Sequence, residues 1–205
     1  MSSTAEVRPF RPDDADAVAD ICVRTGHEGG DARAIYPDQA LLPTIFAHPY
    51  AFLEPELAFV VDSGERAVGY IVGTADTPTF VRRFRKEWLP RVADRYPLTD
   101  GTTPTDAMIR LLHDPERLLW PELAAYPAHL HIDLLPEYQR SGFGRALMER
   151  LVAALAGAGV PGVHLGMVTT NVRARPFYDR LGFHQIPVPD PAPLTYLGRR
   201  INASG

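Results

Sequence analysis

The spacing of apolar residues changes along the chain, and each change predicts an element. Residues 6–10 read as a short strand. Arg11-Pro12-Asp13-Asp14 then opens a helix: an aspartate is expected to supply the N-cap oxygen, and acids suit the positive end of the helix dipole. Ala15, Val18, Ile21 and Cys22 fall at helical spacing and point inward, so this helix is expected to run to about Gly26. Residues 27–34 are rich in glycine and aspartate and read as a loop. Residues 37–52 are apolar and helical, with a break near Pro49. Residues 57–61 and 67–73 are short apolar runs joined by Asp62-Ser63-Gly64-Glu65, which predicts a β-hairpin.

Residues 78–97 set Arg82, Arg83, Arg85, Lys86, Arg91 and Arg95 against Phe80, Phe84, Trp88 and Leu89, the pattern of one amphipathic basic helix. A solvated basic face is the default reading; a lid that steers an anionic substrate or meets a coenzyme's phosphates is the other. Its aromatic side must bury against the core or a second subunit. Residues 98–104 form a polar linker, and 106–113 and 115–120 read as short helices. A strand at 127–135 stops at Pro136, and a helix over 141–158 ends at Gly157 and Gly159. A strand at 163–168 and a helix at 172–181, stopped by Gly182, follow. Closing strands are expected at 183–186 and 195–197, flanking a proline-rich segment. The order is β-α-α-β-β, a helical insertion at about 77–120, then β-α-β-α-β-β, which argues an α/β sheet packed with helices.

Composition narrows the class. A chain of 205 residues, 45% hydrophobic and 22% charged, fits a single domain over residues 1–205. With 21 basic and 25 acidic residues, the net charge of −4 advertises no nucleic-acid partner. No apolar run approaches the ~20 residues that span a bilayer. The N-terminus lacks the basic and apolar regions of a signal peptide, and the one cysteine, Cys22, excludes an internal disulfide. The expectation is a cytoplasmic protein without a membrane partner; oligomeric state, including a homodimer, stays open. Cys22 lies in an apolar helical pattern and reads as core. The histidines show no metal-ligand spacing, and no metal is expected.

The most informative stretch is His131-Ile132-Asp133-Leu134-Leu135-Pro136-Glu137-Tyr138-Gln139-Arg140-Ser141-Gly142-Phe143-Gly144-Arg145. A strand runs through a glycine-bearing loop straight into a helix, whose free N–H groups and positive dipole end suit a diphosphate. Gly142 and Gly144 would let the backbone approach the phosphates. No Gly-Lys-Ser/Thr follows, which excludes a Walker loop. Leu147 stands where a dinucleotide fingerprint needs a third small residue, and no acid follows at the next strand end. Gln139-Arg140-Ser141-Gly142-Phe143-Gly144 matches the coenzyme A loop Gln/Arg-x-x-Gly-x-Gly/Ala. About thirty residues on, Asn171-Val172-Arg173-Ala174-Arg175-Pro176-Phe177-Tyr178 opens the next helix, and Asn171, Ala174 and Tyr178 are spaced to share a helix face. An N-cap asparagine followed by a core Phe-Tyr pair is the structural alternative.

These two segments resemble the acetyl-CoA-binding motifs of the GNAT N-acetyltransferases. The resemblance is specific over about residues 127–186 and covers the whole chain in element order. Tyr36-Pro37-Asp38, Gly69-Tyr70, Gly73-Thr74-Ala75-Asp76 and the insertion through Phe80, Trp88 and Tyr96 look like the acetyltransferase-like domain attached to O-GlcNAcases. Such domains can lack a usable cofactor loop; this chain carries the complete one.

The resemblance implies a mostly antiparallel central sheet flanked by helices and acetyl transfer from acetyl-CoA to an amine. It implies that backbone N–H groups of Gln139, Arg140, Ser141, Gly142, Phe143, Gly144 and Arg145 hold the pyrophosphate. Leu134 and Leu135 would pair with the pantetheine arm, one of their N–H groups polarising the thioester. Asn171 would bond the pantetheine, Ala174 and Phe177 would contact the coenzyme, and Tyr178 would protonate the departing sulfur. The base is open. His129, His131 and Asp133 share one strand face; Asp133 is the first candidate as base or substrate anchor, His131 the second, with Asp76, Glu56 or a water outside them. A silent acyl-CoA-binding sensor or interaction module is the competing class, and the acceptor can be a small amine, an amino sugar, a peptide N-terminus or a protein lysine.

Overall fold

The structure is a computed structural model that describes residues 5–201; the ends of the predicted 1–205 domain lie outside the described residues. Seven strands form one sheet: β1 (Glu6–Pro9), β2 (Ala58–Asp62), β3 (Ala67–Thr74), β4 (Ala128–Leu134), β5 (Gly162–Val168), β6 (His184–Gln185) and β7 (Leu194–Arg200). Their order is β1-β2-β3-β4-β5-β7-β6. Neighbours are antiparallel except β4 and β5, which run parallel. This is the mixed, mostly antiparallel sheet flanked by helices that the resemblance implies.

Helices α1 (Ala15–Thr25), α2 (Leu41–Phe46) and α3 (His48–Leu53) lie on one face, where α1 and α3 pack on β3. Helix α4 (Thr77–Arg83) extends this layer, its Phe80 stacked on Tyr50 of α3 at 4.3 Å. Helices α5 (Leu89–Val92) and α6 (Pro104–His113) complete the insertion. Helix α7 (Phe143–Gly157) packs on β2, β3 and β4 from the opposite face through Leu147, Leu151 and Leu155, all fully buried. Helix α8 (Arg175–Arg180) follows β5. Among the described residues no helix is long and apolar enough to cross a membrane.

Several elements depart from the sequence reading for identifiable reasons. Asp14 does not cap α1 with its side chain. It accepts two hydrogen bonds from the Arg8 guanidinium (2.7 and 2.8 Å) and one from Arg11 N (2.7 Å), tying β1 to the helix entry. The basic segment is not one continuous helix. Pro90 cannot donate to a preceding carbonyl and its ring crowds it, so the backbone widens into a π-turn at Phe84–Trp88 before α5. Phe80 and Phe84 bury in the chain's own core, and Trp88 donates to Thr44 O. Its cations are engaged locally: Arg83 with Glu87 and Leu53 O, Arg85 with Glu116, Arg95 with Asp38, and Arg91 over the Phe52 ring. Arg83, Arg85 and Arg95 are thereby paired with carboxylates. The helix expected over 172–181 is shorter, and Asn171 lies in the preceding turn, its carbonyl accepting Ala174 N. Asn171, Ala174 and Tyr178 therefore do not share one continuous helix face. Cys22 is buried, as its pattern suggests.

Candidate active site

The parallel pair β4 and β5 is where the site opens. The strands register only at Ala128↔Val163 and His129↔His164 and then diverge. Beyond that point β4 keeps its partner β3 while β5 keeps β7. The result is a crevice at the carboxyl ends of two parallel strands, the habitual ligand position in such sheets. The alternation of the antiparallel ladder decides which amides face it. Leu135 N donates to Val68 O at 3.0 Å, so Leu135 is committed to β3. Leu134, its neighbour, turns its N–H and carbonyl toward the crevice. Gln139 Nε2 caps that carbonyl at 2.9 Å and ties the following loop to the strand end.

The loop from Arg140 into α7 has the geometry of an anion cradle, whereas the Gln139 N–H expected to join it donates to Pro136 O at 3.2 Å. Among the described residues the backbone N–H groups of Arg140, Ser141, Gly142, Phe143, Gly144 and Arg145 donate to nothing; the first helical bond is Ala146 N to Gly142 O (3.0 Å). Arg140 (φ 60°) and Gly142 (φ 87°) take left-handed conformations on either side of Ser141, which turns successive amides to one side as in an anion-binding nest. The α7 dipole adds to it. The two glycines serve different ends. Gly142 provides the positive φ with open space around it. At Gly144 an added Cβ would stand 3.1 Å from the Phe177 ring, so its smallness admits α8 against α7. The cradle suits a diphosphate: it is all donors, with Ser141 hydroxyl turned to Gln139 O and the exposed Arg145 near Glu149 at its edge.

Two titratable groups lie beside the crevice. Asp133 is half-buried on the α1 face of β4 and accepts Tyr70 OH at 2.7 Å. Loss of solvation pushes its carboxyl up to about 6, against the downward pull of the Tyr70 and Thr25 hydroxyls. Tyr178, on α8, packs edge-on against Phe177 and Phe183 at 5.2 and 5.8 Å. Its hydroxyl makes no hydrogen bond among the described residues, and burial together with the Asp133 charge raises its pKa, so it keeps its proton at neutral pH. His131 is two residues from Asp133 on the same face, held in a short polar chain with Tyr50 and His129. Asp76 is the N-cap of α4, accepting Thr79 N at 2.9 Å, and Glu56 is exposed in the turn before β2. Among the described residues no cluster of metal-ligating side chains forms. Tyr50, Tyr70 and Thr77 were invisible as site residues in the sequence. They stand 79, 63 and 52 positions from their partners on β4, and no local motif signals such contacts.

The fold is that of the GNAT class of acyltransferases. Residues 28–183 match the acetyltransferase (GNAT) family, and the chain belongs to it. It is 23% identical over 98% of its length to protein O-GlcNAcase of Rattus norvegicus, and spans only 22% of that protein. The solved structure described as SsHAT is 58% identical, covers 97% of this chain and 99% of its own, and superposes with a TM-score of 0.93. A GNAT superfamily phosphinothricin acetyltransferase from Sinorhizobium meliloti, solved in complex with acetyl-CoA, shares the fold at 14% identity (TM-score 0.57, 97% of this chain and 89% of that one).

Proposed function

We propose that the chain is an acetyl-CoA-dependent N-acetyltransferase that transfers the acetyl group directly from the thioester to an amine. The observation that carries this reading is the run of unpartnered amides from Arg140 to Arg145 at the mouth of the β4–β5 crevice, with Asp133 and Tyr178 beside it. Acetyl-CoA supplies the activated acyl group; the chain handles the charge and the protons. The cradle holds the pyrophosphate, while Asn171, Ala174 and Phe177 border the coenzyme. The crevice-facing N–H of Leu134 donates to the carbonyl oxygen as negative charge develops on it.

An alkylammonium has a pKa near ~10 and must lose a proton before it attacks. Asp133, largely ionised at neutral pH, takes that proton and passes it to solvent, then takes the second nitrogen proton as the new C–N bond forms. Tyr178 gives its phenolic proton to sulfur as the C–S bond breaks, and solvent returns the proton from Asp133 to Tyr178. The products are an amide and the free thiol. A carboxyl held near 6 is a stronger base than an exposed aspartate yet still ionised at pH 7, which suits it to the task.

The test is calorimetric titration with acetyl-CoA beside a Gly142→Glu/Gly144→Glu variant, followed by thiol release with n-butylamine, glucosamine and a lysine-containing peptide. The reading expects micromolar binding, lost in the variant, and thiol release with at least one amine. Binding without turnover of any amine would leave a coenzyme-binding module; no binding would remove the cofactor site itself.

A further inference from the structure

This inference rests on the transferase reading and adds a residue to it. On the β4 face that carries Asp133, four polar contacts run in line. They are Thr77 Oγ1 to Pro127 O (2.7 Å), His129 Nδ1 to Thr77 Oγ1 (2.7 Å), Tyr50 OH to His129 Nε2 (2.8 Å) and His131 Nε2 to Tyr50 OH (3.1 Å). With both imidazoles neutral, only one set of proton positions puts a hydrogen in all of them. Pro127 O can only accept, so the Thr77 hydroxyl proton points to it. Thr77 Oγ1 then accepts from His129 Nδ1–H. A neutral imidazole carries a single N–H, so His129 Nε2 is a lone pair and receives the Tyr50 proton. The Tyr50 oxygen in turn accepts His131 Nε2–H. His131 is left with a lone pair on Nδ1, and no described residue donates to it.

The surroundings keep both imidazoles neutral. Tyr50, Thr77 and His129 are buried, and burial holds His131 down to about 4, with the Arg117 guanidinium and His164 acting in the same direction. His129 is held well below its usual range by burial, His164, His131 and Arg117. His131 itself is half-buried, with Phe46 edge-on at 5.7 Å.

We propose that His131 orients the acceptor: its Nδ1, fixed as a lone pair by the Tyr50–His129–Thr77 chain, accepts a hydrogen bond from the incoming amine while Asp133 takes the proton. The opposite tautomer would present a donor to an ammonium, and a charged ring would repel it. A fixed neutral acceptor beside a carboxylate therefore favours an acceptor that arrives as a primary ammonium.

The test reads tautomers directly. In the 15N-labelled full chain at neutral pH, long-range 1H–15N spectra should show His131 protonated at Nε2 and bare at Nδ1, with His129 the reverse. The Nδ1 resonance should move when the amine acetylated fastest among the three above is added to the acetyl-CoA-free protein. Tyr50→Phe keeps the ring that stacks on Phe80 but deletes the hydroxyl. It should mix the His131 tautomers and raise KM for that amine about tenfold, the worth of roughly one hydrogen bond, with acetyl-CoA affinity unchanged. Thr77→Val, at the far end of the chain, should loosen the His129 tautomer without touching the crevice. His131 protonated at Nδ1, an Nδ1 resonance indifferent to the amine, or unaltered amine kinetics in Tyr50→Phe would overturn the inference. Failure of every amine to release thiol from the wild type would instead bring down the transferase reading, whatever the tautomers are.

Discussion

Asp133 is held by opposed forces, and Tyr70 is the place to separate them. Burial raises its carboxyl to about 6 while the Tyr70 hydroxyl, at 2.7 Å, lowers it. Tyr70→Phe deletes that donor and keeps the ring, which is fully buried. A hydrogen bond to a charged group contributes roughly 1.5–3 kcal/mol and one to its neutral form roughly 0.5–1.5. The ionised carboxylate therefore loses about 1–2 kcal/mol more than the acid does. At ~1.4 kcal/mol per pKa unit this is about one unit upward, to near ~7. The assay is a 13C titration of the Asp133 carboxyl, assigned by its disappearance in Asp133→Asn. With the ionised carboxylate as the proposed base, the rate is expected to rise with pH through this pKa. The acidic limb of kcat/KM should move up with the carboxyl: the variant lags at pH 6.5 and approaches wild type above pH 8. A carboxyl midpoint that stays at about 6 or falls would show that the Tyr70 hydroxyl does not stabilise the ionised form, and the electrostatic account of the base would fail.

The remaining predictions concern the acid, stability and the cradle. Tyr178→Phe should lower kcat by roughly 10²–10⁴ with acetyl-CoA binding intact; a near-wild-type rate removes it as the acid. Asp133 has a folded value above its unfolded 3.8, so the native state binds more protons between 3.8 and about 6, and its contribution to stability falls as pH rises through that window. Asp133→Asn should consequently be more stable than wild type at pH 8 by up to ~2 kcal/mol, discounted for partial solvent access, with the difference closing at pH 3; equal denaturation midpoints at pH 8 would contradict this. Gly142→Ala meets no neighbour but must hold φ 87°, so it should cost ~1–2 kcal/mol and a few degrees of melting temperature while weakening acetyl-CoA binding. An unchanged melting curve would mean the loop relaxes freely.

How much was legible varied with the range of the forces involved. The strand running into a glycine loop and helix at 131–145 could be read because strand, turn and helix start are neighbours in sequence, and their chemistry is local. The core of α1 and the hairpin of β2 and β3 were readable for the same reason: period 3.6, and Asp62-Ser63-Gly64 turn chemistry confirmed by Gly64 N donating to Asp62 Oδ1 at 2.8 Å. Asp14 was misread because a cap and an ion pair call for the same residue, and the choice depended on Arg8 folding across from β1. The basic insertion was misread as continuous because the hydrophobic period runs through Pro90 even though the backbone cannot.

The sequence by itself determined the strand, glycine-bearing loop and helix start at 131–145, since their signals lie a few positions apart, while the mostly antiparallel sheet and the proposed roles of Tyr178 and Asp133 came from the family resemblance. Tertiary structure alone decided which amide of the Leu134–Leu135 pair faces the crevice, because that follows from the register of β4 on β3. It alone set the pKa of Asp133 and the tautomer of His131, because both depend on burial and on hydroxyls brought from α3, α4 and β3 across dozens of residues. Proton affinity and hydrogen-bond direction are properties of an environment, and the environment exists only once the chain has closed on itself.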